Sequence, residues 1–155
     1  MELERIKYNN MTMVLYIMVD VLKRCGRMDM MRMAVLTALL QDDAIVDLLL
    51  AKGETLNFAN FRVLNKNLMV NINKRFYHTL PLIVNSSSIL MDAGFMTITD
   101  GDMIVIERCE EACFVEIGNV DSQSAQRIDR VLPRMLSICE DVTTKRMIKT
   151  LNIEV

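Results

Sequence analysis

The sequence predicts a mainly α fold with a small β-hairpin, in which a winged-helix-like core is flanked by N- and C-terminal helices. Apolar residues recur at spacings of three and four along most of the chain, as they do in amphipathic helices. From His78 to Glu107, a helical pattern, a glycine and two alternating stretches around Asp100-Gly101-Asp102 follow one another, which indicates a helix and then a hairpin. With 155 residues the chain suits a single domain. We divide it into N-terminal helices (1–55), a winged-helix-like part (56–120) and C-terminal helices (121–155).

The first predicted helix follows Asn9 and Asn10, since either side chain can accept hydrogen bonds from the free amides of a first helical turn. Gly26 ends this helix. It is apolar almost all round, so it is either central to the core or partly covered by another chain, and we favour the core. From Asp29 to Ala51 a second apolar pattern is interrupted at Gln41-Asp42-Asp43, which fits either one bent helix or two short helices.

The middle part is predicted to contain two helices before the hairpin. The first, from Leu56 to Tyr77, has apolar residues at helical spacing. The second runs from Thr79 to Asp92, with Pro81 in its first turn, where the missing amide costs nothing. Gly94 stands where a left-handed helix terminator is expected. After the hairpin, a third strand would fit residues 112–117.

The C-terminal part is predicted to contain two helices. The first has a single apolar seam, formed by Ile128, Val131, Met135, Ile138 and Val142. Pro133 lies inside that pattern, so the helix is either kinked there or begins just before it. A last short helix, capped by Thr143 or Thr144, contains Met147, Ile148 and Leu151.

The charge pattern argues against the DNA binding that a winged helix usually performs. The helix in the position of a recognition helix, Thr79 to Asp92, contains neither Lys nor Arg. From Ile98 to Asp121 there are seven acids and one base, Arg108, so this surface would repel a phosphate backbone. If the chain touches nucleic acid, the better candidates are Lys66, Lys74 and Arg75, or else a group of bases in the C-terminal part. A C-terminal set of six bases is better explained as a solvated helical face: Arg127, Arg130, Arg134, Lys145, Arg146 and Lys149.

Neither catalysis nor a cofactor is predicted. His78 is the only histidine and no Cys-x-x-Cys pair occurs, so a zinc site is not expected among the four cysteines, which we interpret as reduced structural thiols. The glycines form no phosphate-binding loop, and the serines at 86–88 fall within a helix. The apolar run Met13–Val19 is far shorter than the about 20 residues that span a bilayer. The amino terminus lacks the order of a secretory signal, so we expect a cytoplasmic protein.

Methionine is unusually frequent, with 14 residues. Four of them crowd one turn, at Met28, Met30, Met31 and Met33, and not all four can point inward. Flexible, polarizable methionine side chains fill cores, but they also recur on surfaces that bind partner helices. We therefore expect some partner contact in this region.

The order of segments resembles a known family over nearly the whole chain. An Asn-led helix continues as MTMVLYIMVDVL, and MAVLTALLQDD and NKRFY follow. Next come LPLIVNSSSILMDAGFMTITDGDMIVIE and a closing TKRMIKTLNIEV. In this order the chain is similar to the middle components of bacterial three-component ABC systems, which include the small subunit of Lamassu-type antiphage defence complexes. One departure is Ala38-Leu39-Leu40-Gln41, where that family often has Leu-Pro-Leu and a His.

The resemblance implies a non-catalytic subunit of an antiviral defence complex. Such a subunit bridges a coiled-coil, SMC-like ABC ATPase and an effector that is often a nuclease, and the DNA contact and the nucleotide chemistry belong to those partners. No membrane, small-molecule substrate or cofactor is implied. The alternative is a stand-alone winged-helix DNA-binding transcription regulator, which would bind duplex DNA by itself and lose that binding when Lys66, Lys74 and Arg75 are neutralised.

Overall fold

The computed structural model describes residues 2–52, 55–61, 66–110, 117 and 120–155, without the side chains of 2–10 and 66–70. These residues form helices and a small antiparallel sheet, so the predicted fold class is confirmed. In chain order the elements are α1 Glu2–Cys25, β1 Arg27–Asp29, α2 Met30–Leu40, α3 Asp43–Lys52, α4 Lys66–Asp92, β2 Met96–Asp100, β3 Ile104–Arg108, α5 Ser122–Cys139 and α6 Thr144–Thr150.

The sheet has the strand order β1-β3-β2, and both pairs are antiparallel. Ile106 of β3 lies between Met28 of β1 and Ile98 of β2. β1 precedes α2, and the β2–β3 hairpin follows α4. The first strand therefore pairs with the last strand, β3, which is the arrangement of a winged helix. We call the β2–β3 hairpin, with its turn at 101–103, the wing.

The third strand is not the one that the sequence predicted. The predicted strand at 112–117 lies outside the described residues except for Ile117, which has no regular structure. The observed third strand is β1, where the sequence predicted no strand between the end of the first helix at Gly26 and the apolar pattern that begins at Asp29. Gly26, with φ of 78°, turns the chain out of α1 and its carbonyl oxygen accepts from the amide of Arg108 at 2.8 Å. Three residues with one buried apolar side chain, Met28, are too few to show an alternating pattern.

The segment from Asp29 to Ala51 forms two helices, one of the two arrangements that fitted the sequence. Asp29 caps α2, since its carboxylate accepts from the amide of Met31 at 3.1 Å. Asp42 separates the helices and caps α3, because its Oδ1 accepts from the amide of Ala44 at 3.0 Å. An N-cap carboxylate satisfies amides that have no partner within the helix, which favours a break at this position over a bend.

The two helices predicted before the hairpin are wrong in their boundaries. Residues 55–59 contain turns, residues 60 and 61 are helical, and α4 runs without interruption from Lys66 to Asp92. Pro81 therefore lies inside a helix and not in its first turn. Buried residues on both sides of the proline, Phe76 and Ile83 among them, anchor α4 to the core, and this packing outweighs the lost hydrogen bond.

The end of α4 follows the prediction. Gly94 has φ of 74°, and the amide of Phe95 donates to the carbonyl oxygen of Leu90 at 2.9 Å, which is the six-to-one bond of a Schellman motif. Phe95 itself is buried. The glycine thus turns the chain directly from α4 into β2.

The C-terminal helices also occur. α5 begins at Ser122, capped by Asp121, so Pro133 lies inside it. Its seam residues Ile128, Val131 and Met135 are buried, while Ile138 and Val142 are half-buried. Thr143 caps α6 by accepting from the amide of Arg146 at 3.2 Å. Of the two threonines considered, the structure selects the first.

One buried cluster contains residues from all three parts of the chain. The predicted start of α1 was wrong, because the helix begins at Glu2 and Asn9 and Asn10 lie inside it. From residue 11 to residue 22, α1 has no exposed side chain, so it is central to the core as expected. The largest fully buried side chains come from α1, α2, α3, α4 and the segments around them. Val131 and Met147 add α5 and α6 to the same cluster. No helix in the described part of the chain is long and apolar enough to cross a membrane.

Candidate protein-docking surface

Among the basic residues proposed for nucleic acid on α4, Arg75 is bound by the protein's own main chain. Lys66 begins α4 and Lys74 is exposed on it. Arg75 is half-buried and donates to the carbonyl oxygen of Gln41 at 3.2 Å, at the C-terminal end of α2. A guanidinium held against a main-chain carbonyl stabilises the end of that helix and is not presented to solvent as a phosphate ligand.

The C-terminal bases are divided between structural and solvated positions. Arg127 forms ion pairs with Asp43 and Asp47 of α3. Arg134 donates to the carbonyl oxygens of Leu49 and Leu50, at 2.7 and 3.2 Å. These two arginines hold α5 against α3. The other four, Arg130, Lys145, Arg146 and Lys149, are exposed.

Three of the four clustered methionines belong to the core. Met33 is fully buried, and Met28 and Met30 are 8% exposed. Met28 is held inward by its place opposite Ile106 in the sheet. Met31 is half-buried, so the four do not all point inward, but partner contact in this region can involve little more than Met31 and the edge of Met30.

The most unusual surface lies on α4, the helix in the position where winged helices read DNA. From Tyr77 to Met91 the helix contains no Lys, Arg, Asp or Glu. Its exposed side chains include four large apolar ones, each between 44% and 52% exposed: Tyr77, Val84, Ile89 and Met91. Such a face is neither a phosphate-binding surface nor an ordinary solvated one.

Five exposed positions form a continuous row along α4. Tyr77, Pro81, Val84, Ser88 and Met91 are exposed and are spaced by four, three, four and three residues. We call these five residues the α4 stripe. The opposite side of the helix is fixed in the core by Phe76, Thr79, Ile83, Ser86, Ser87 and Leu90. The stripe was not predicted from the sequence, because its exposure depends on which side of α4 is buried.

The serines on α4 act as internal packing groups. The Ser87 hydroxyl donates to the carbonyl oxygen of Ile83 at 2.7 Å, and Ser86 contacts the sulfur of Met11 at 3.6 Å. Both are buried, whereas His78 is exposed. Small hydroxyl side chains here let α4 lie close to α1, since a hydroxyl that bonds back to its own helix needs no other partner.

The wing is acidic, as its sequence indicated. Asp100, Asp102 and Glu107 are exposed, and so are Glu110 and Asp121 nearby in the chain. The remaining acids of that count, Glu111 and Glu116, lie outside the described residues. With Arg108 as the single base in this part of the sequence, the wing opposes contact with phosphate.

A pair of carboxyl groups lies where α1 meets α5. Tyr16 donates to Oδ1 of Asp129 at 2.7 Å, and burial followed by this hydrogen bond raises the pKa of the Tyr16 hydroxyl. Burial raises the pKa of Asp20; Arg24 lowers it and Asp129 raises it further. Oδ2 of Asp20 is buried without a hydrogen-bond partner. Among the described residues no group of three or more His, Cys, Asp or Glu side chains could hold a metal ion.

Burial disfavours ionisation of two of the thiols in the described part of the chain. Cys25 is exposed and Cys139 is buried, and burial raises the pKa of both thiols, that of Cys139 to about 12. Cys109 is half-buried, and Cys113 lies outside the described residues. A raised pKa removes the thiolate that nucleophilic or metal-binding chemistry needs.

The candidate site is therefore the α4 stripe, an open surface and not a pocket. Its composition suits contact with another protein, because apolar side chains gain by leaving water and no charge must be desolvated with them. Comparison of the chain with protein-family models, curated proteins and solved structures finds no match.

Proposed function

We propose that this protein is a non-catalytic adaptor subunit that binds a helix of a partner protein through the α4 stripe. The observation that supports the proposal is the composition of that exposed face, where large apolar side chains occur without a single Lys, Arg, Asp or Glu from Tyr77 to Met91. In a winged helix this helix would face DNA. Replacing its basic groups by apolar ones converts the same geometry into a surface for protein.

The spacing of the stripe favours a helical partner. Its members recur every 3.5 residues on average, from Tyr77 to Met91. Apolar positions at that period form the seam along which two helices pack in a coiled coil. Ser88, the fourth of the five, is small enough to let a facing helix come close. A coiled-coil segment is therefore the partner structure that this face fits best.

We take the proposed identity of that partner from the resemblance of the chain to middle components of three-component ABC systems. The coiled coil would belong to an SMC-like ABC ATPase, and a different surface of the chain would hold the effector. The complex would act in antiphage defence, with DNA sensing and nucleotide hydrolysis carried out by the partners. The DNA-binding regulator is the weaker alternative, since Arg75 is bound to the end of α2 and the wing is acidic.

The energetic scale makes the proposal testable by single substitutions. Burying the exposed half of a side chain such as Val84 contributes about 1 kcal/mol. A lysine at the same position loses that contribution and also places an unpaired charge in the interface. Together these effects should weaken binding by roughly tenfold or more, since every 1.4 kcal/mol is a factor of about ten.

The experiment is affinity purification of the full chain from its native host, followed by identification of the co-purifying proteins. We expect a coiled-coil ABC ATPase and an effector, both lost or strongly reduced with Val84→Lys and with Met91→Lys. Gln126→Lys is the matched control, because Gln126 is exposed on α5 and receives the same charge. Recovery of the chain as a homodimer without other proteins would contradict the proposal.

A further inference from the structure

A second apolar surface lies between the wing, the start of α2 and α6. It is a groove of about 490 Å³, within the size range of ligand-binding clefts. Its apolar walls come from three elements and the chain end: Met30, Met31, Met103, Ile104, Ile148 and Val155. Among the described residues, the exposed large apolar side chains outside α4 are Met103, Ile104 and Val155. All three line this groove.

The exposure of the groove is concentrated at the wing. Met103 is 59% exposed and Ile104 is 43% exposed, although both follow directly on the polar turn Gly101-Asp102. Neither side chain belongs to the buried core. A core position of this hairpin is occupied by Ile106 of β3, which is fully buried. A hairpin tip that serves only as a solvated turn would be polar at these positions.

The rim of the groove is negatively charged. Asp29 and Asp102 line it with one base, Lys145. The Asp29 carboxylate caps α2 through the amide of Met31, so it is fixed in place, while Asp102 is exposed at the wing tip. Asp100 adds another exposed acid next to that turn. An occupant with positive charge beside its apolar part would complement this rim.

We propose that this groove binds a short apolar segment of a protein partner that is flanked by Lys or Arg residues. The apolar side chains of the segment pack on Met31, Met103 and Ile148, and its flanking bases pair with Asp102. Methionine side chains adapt to different apolar shapes, so the groove selects for apolar character and positive flanks more than for one residue type. This binding does not require the α4 stripe, and it gives the molecule a second docking surface.

The test uses the full chain and two synthetic twelve-residue peptides with the same apolar residues, one flanked by lysines and one by glutamates. Binding is measured by fluorescence anisotropy. The lysine-flanked peptide is expected to bind at least tenfold more tightly. Met103→Glu should weaken that binding at least tenfold, and Asp102→Lys should reverse the preference between the two peptides. Both positions are exposed, so the fold should be retained, as circular dichroism can verify.

Val84→Lys on α4 is the control and should leave peptide binding unchanged. Equal affinity for the two peptides, no binding of either at millimolar concentration, or a Met103→Glu variant that binds normally would each overturn the proposal. The proposed function fails separately, since it concerns co-purifying proteins that depend on Val84 and Met91. A chain can therefore lose either surface and keep the other.

Discussion

Several arginines bind main-chain carbonyl oxygens at helix ends. Arg32 donates to the carbonyl oxygens of Cys139 and Val142 after α5, Arg134 to those of Leu49 and Leu50 in α3, and Arg75 to that of Gln41 after α2. The last carbonyls of a helix have no partner within it, and a guanidinium can satisfy two of them at once. Arg75 and Arg134 were among the bases considered for nucleic acid, but in the structure all three arginines act as connectors between helices.

The connector role of Arg134 predicts a loss of stability. Arg134→Met keeps most of the aliphatic stem but removes the donors to Leu49 and Leu50, so the free energy of unfolding should fall by about 1–3 kcal/mol. Urea unfolding followed by circular dichroism measures the change. Arg130→Met, at an exposed neighbour on α5, is the control and should have little effect. Equal losses for the two variants would contradict the role assigned to Arg134.

The buried carboxyl group of Asp20 should make the free energy of unfolding depend on pH. Burial raises its pKa from the ordinary value of 3.8, so the folded chain binds this proton more tightly than the unfolded chain does. The stability that Asp20 contributes is then present below pH 3.8 and is lost as the pH rises through the raised pKa. Asp20→Asn should therefore gain stability relative to the wild type as the pH rises from about 4 to 7. The neighbouring Arg24 lowers this pKa, but by less than burial raises it.

Chemical denaturation of both proteins at a series of pH values tests this expectation. Gln126→Asn, at an exposed position on α5, introduces an asparagine without removing an ionisable group, and its effect on stability should not change with pH. A stability difference between Asp20→Asn and the wild type that shrinks or stays constant with rising pH would contradict the account.

Among the helices and strands, α4 is one whose extent the sequence did not predict. Gly94 and the Asp100-Gly101-Asp102 turn were readable because each imposes a local backbone geometry. The continuity of α4 through Pro81 was not, because it depends on how strongly the helix is packed on both sides of the proline. β1 was missed for a related reason, since its three residues become a strand only by pairing with β3. Packing and long-range pairing decided both cases.

The candidate site was predictable only in part. The lack of Lys and Arg from Thr79 to Asp92 is visible in the sequence and already argued against DNA. The α4 stripe is not visible, because Val84 and Met91 look like core residues until the opposite side of the helix is found buried. In the methionine cluster the structure narrows the expected partner contact, since Met28, Met30 and Met33 are buried and Met31 is half-buried.

Replacing Pro81 by alanine should raise the free energy of unfolding, because the proline interrupts the hydrogen bonds of α4. The proline lacks an amide hydrogen inside α4, so Pro81→Ala restores a hydrogen bond to the carbonyl oxygen of Tyr77. A part of this gain is offset because the unfolded chain becomes more flexible. The net increase in the free energy of unfolding should be about 2 kcal/mol, measured by thermal or urea denaturation. Ser88→Ala, at another exposed position of the stripe, controls for the effect of alanine alone. Destabilisation by Pro81→Ala would show that α4 needs the proline for its shape.

For the whole molecule, the distribution of charge and apolar surface favours binding to protein over binding to DNA. The net charge is −2, the wing is acidic, and two of the candidate bases on α5 are paired with α3. At about 0.1 M salt, where charges act over only about 10 Å, the isolated chain should not bind duplex DNA. Fluorescence anisotropy with a labelled duplex measures this, and Lys74→Gln should leave the signal unchanged. Binding that Lys74→Gln abolishes would restore the regulator as the better account.

The two apolar surfaces together suit a bridging subunit. The α4 stripe offers a seam for a helix, and the groove at the wing fits a basic apolar segment. One buried core holds both surfaces on the same body, since residues of α1, α2, α4, α5 and α6 all belong to it. A rigid connection between two docking surfaces is what a subunit needs in order to hold two partners at a fixed distance.

The central claim is that the exposed face of α4 contacts protein and not DNA. The most direct measurement places a photo-crosslinking amino acid at Val84 in the native host, with Gln126 as the matched position on α5, and identifies the adducts by mass spectrometry. The account predicts a protein adduct at Val84, within a coiled-coil segment, and none at Gln126. Adducts to DNA at Val84, or no adduct that distinguishes Val84 from Gln126, would contradict it.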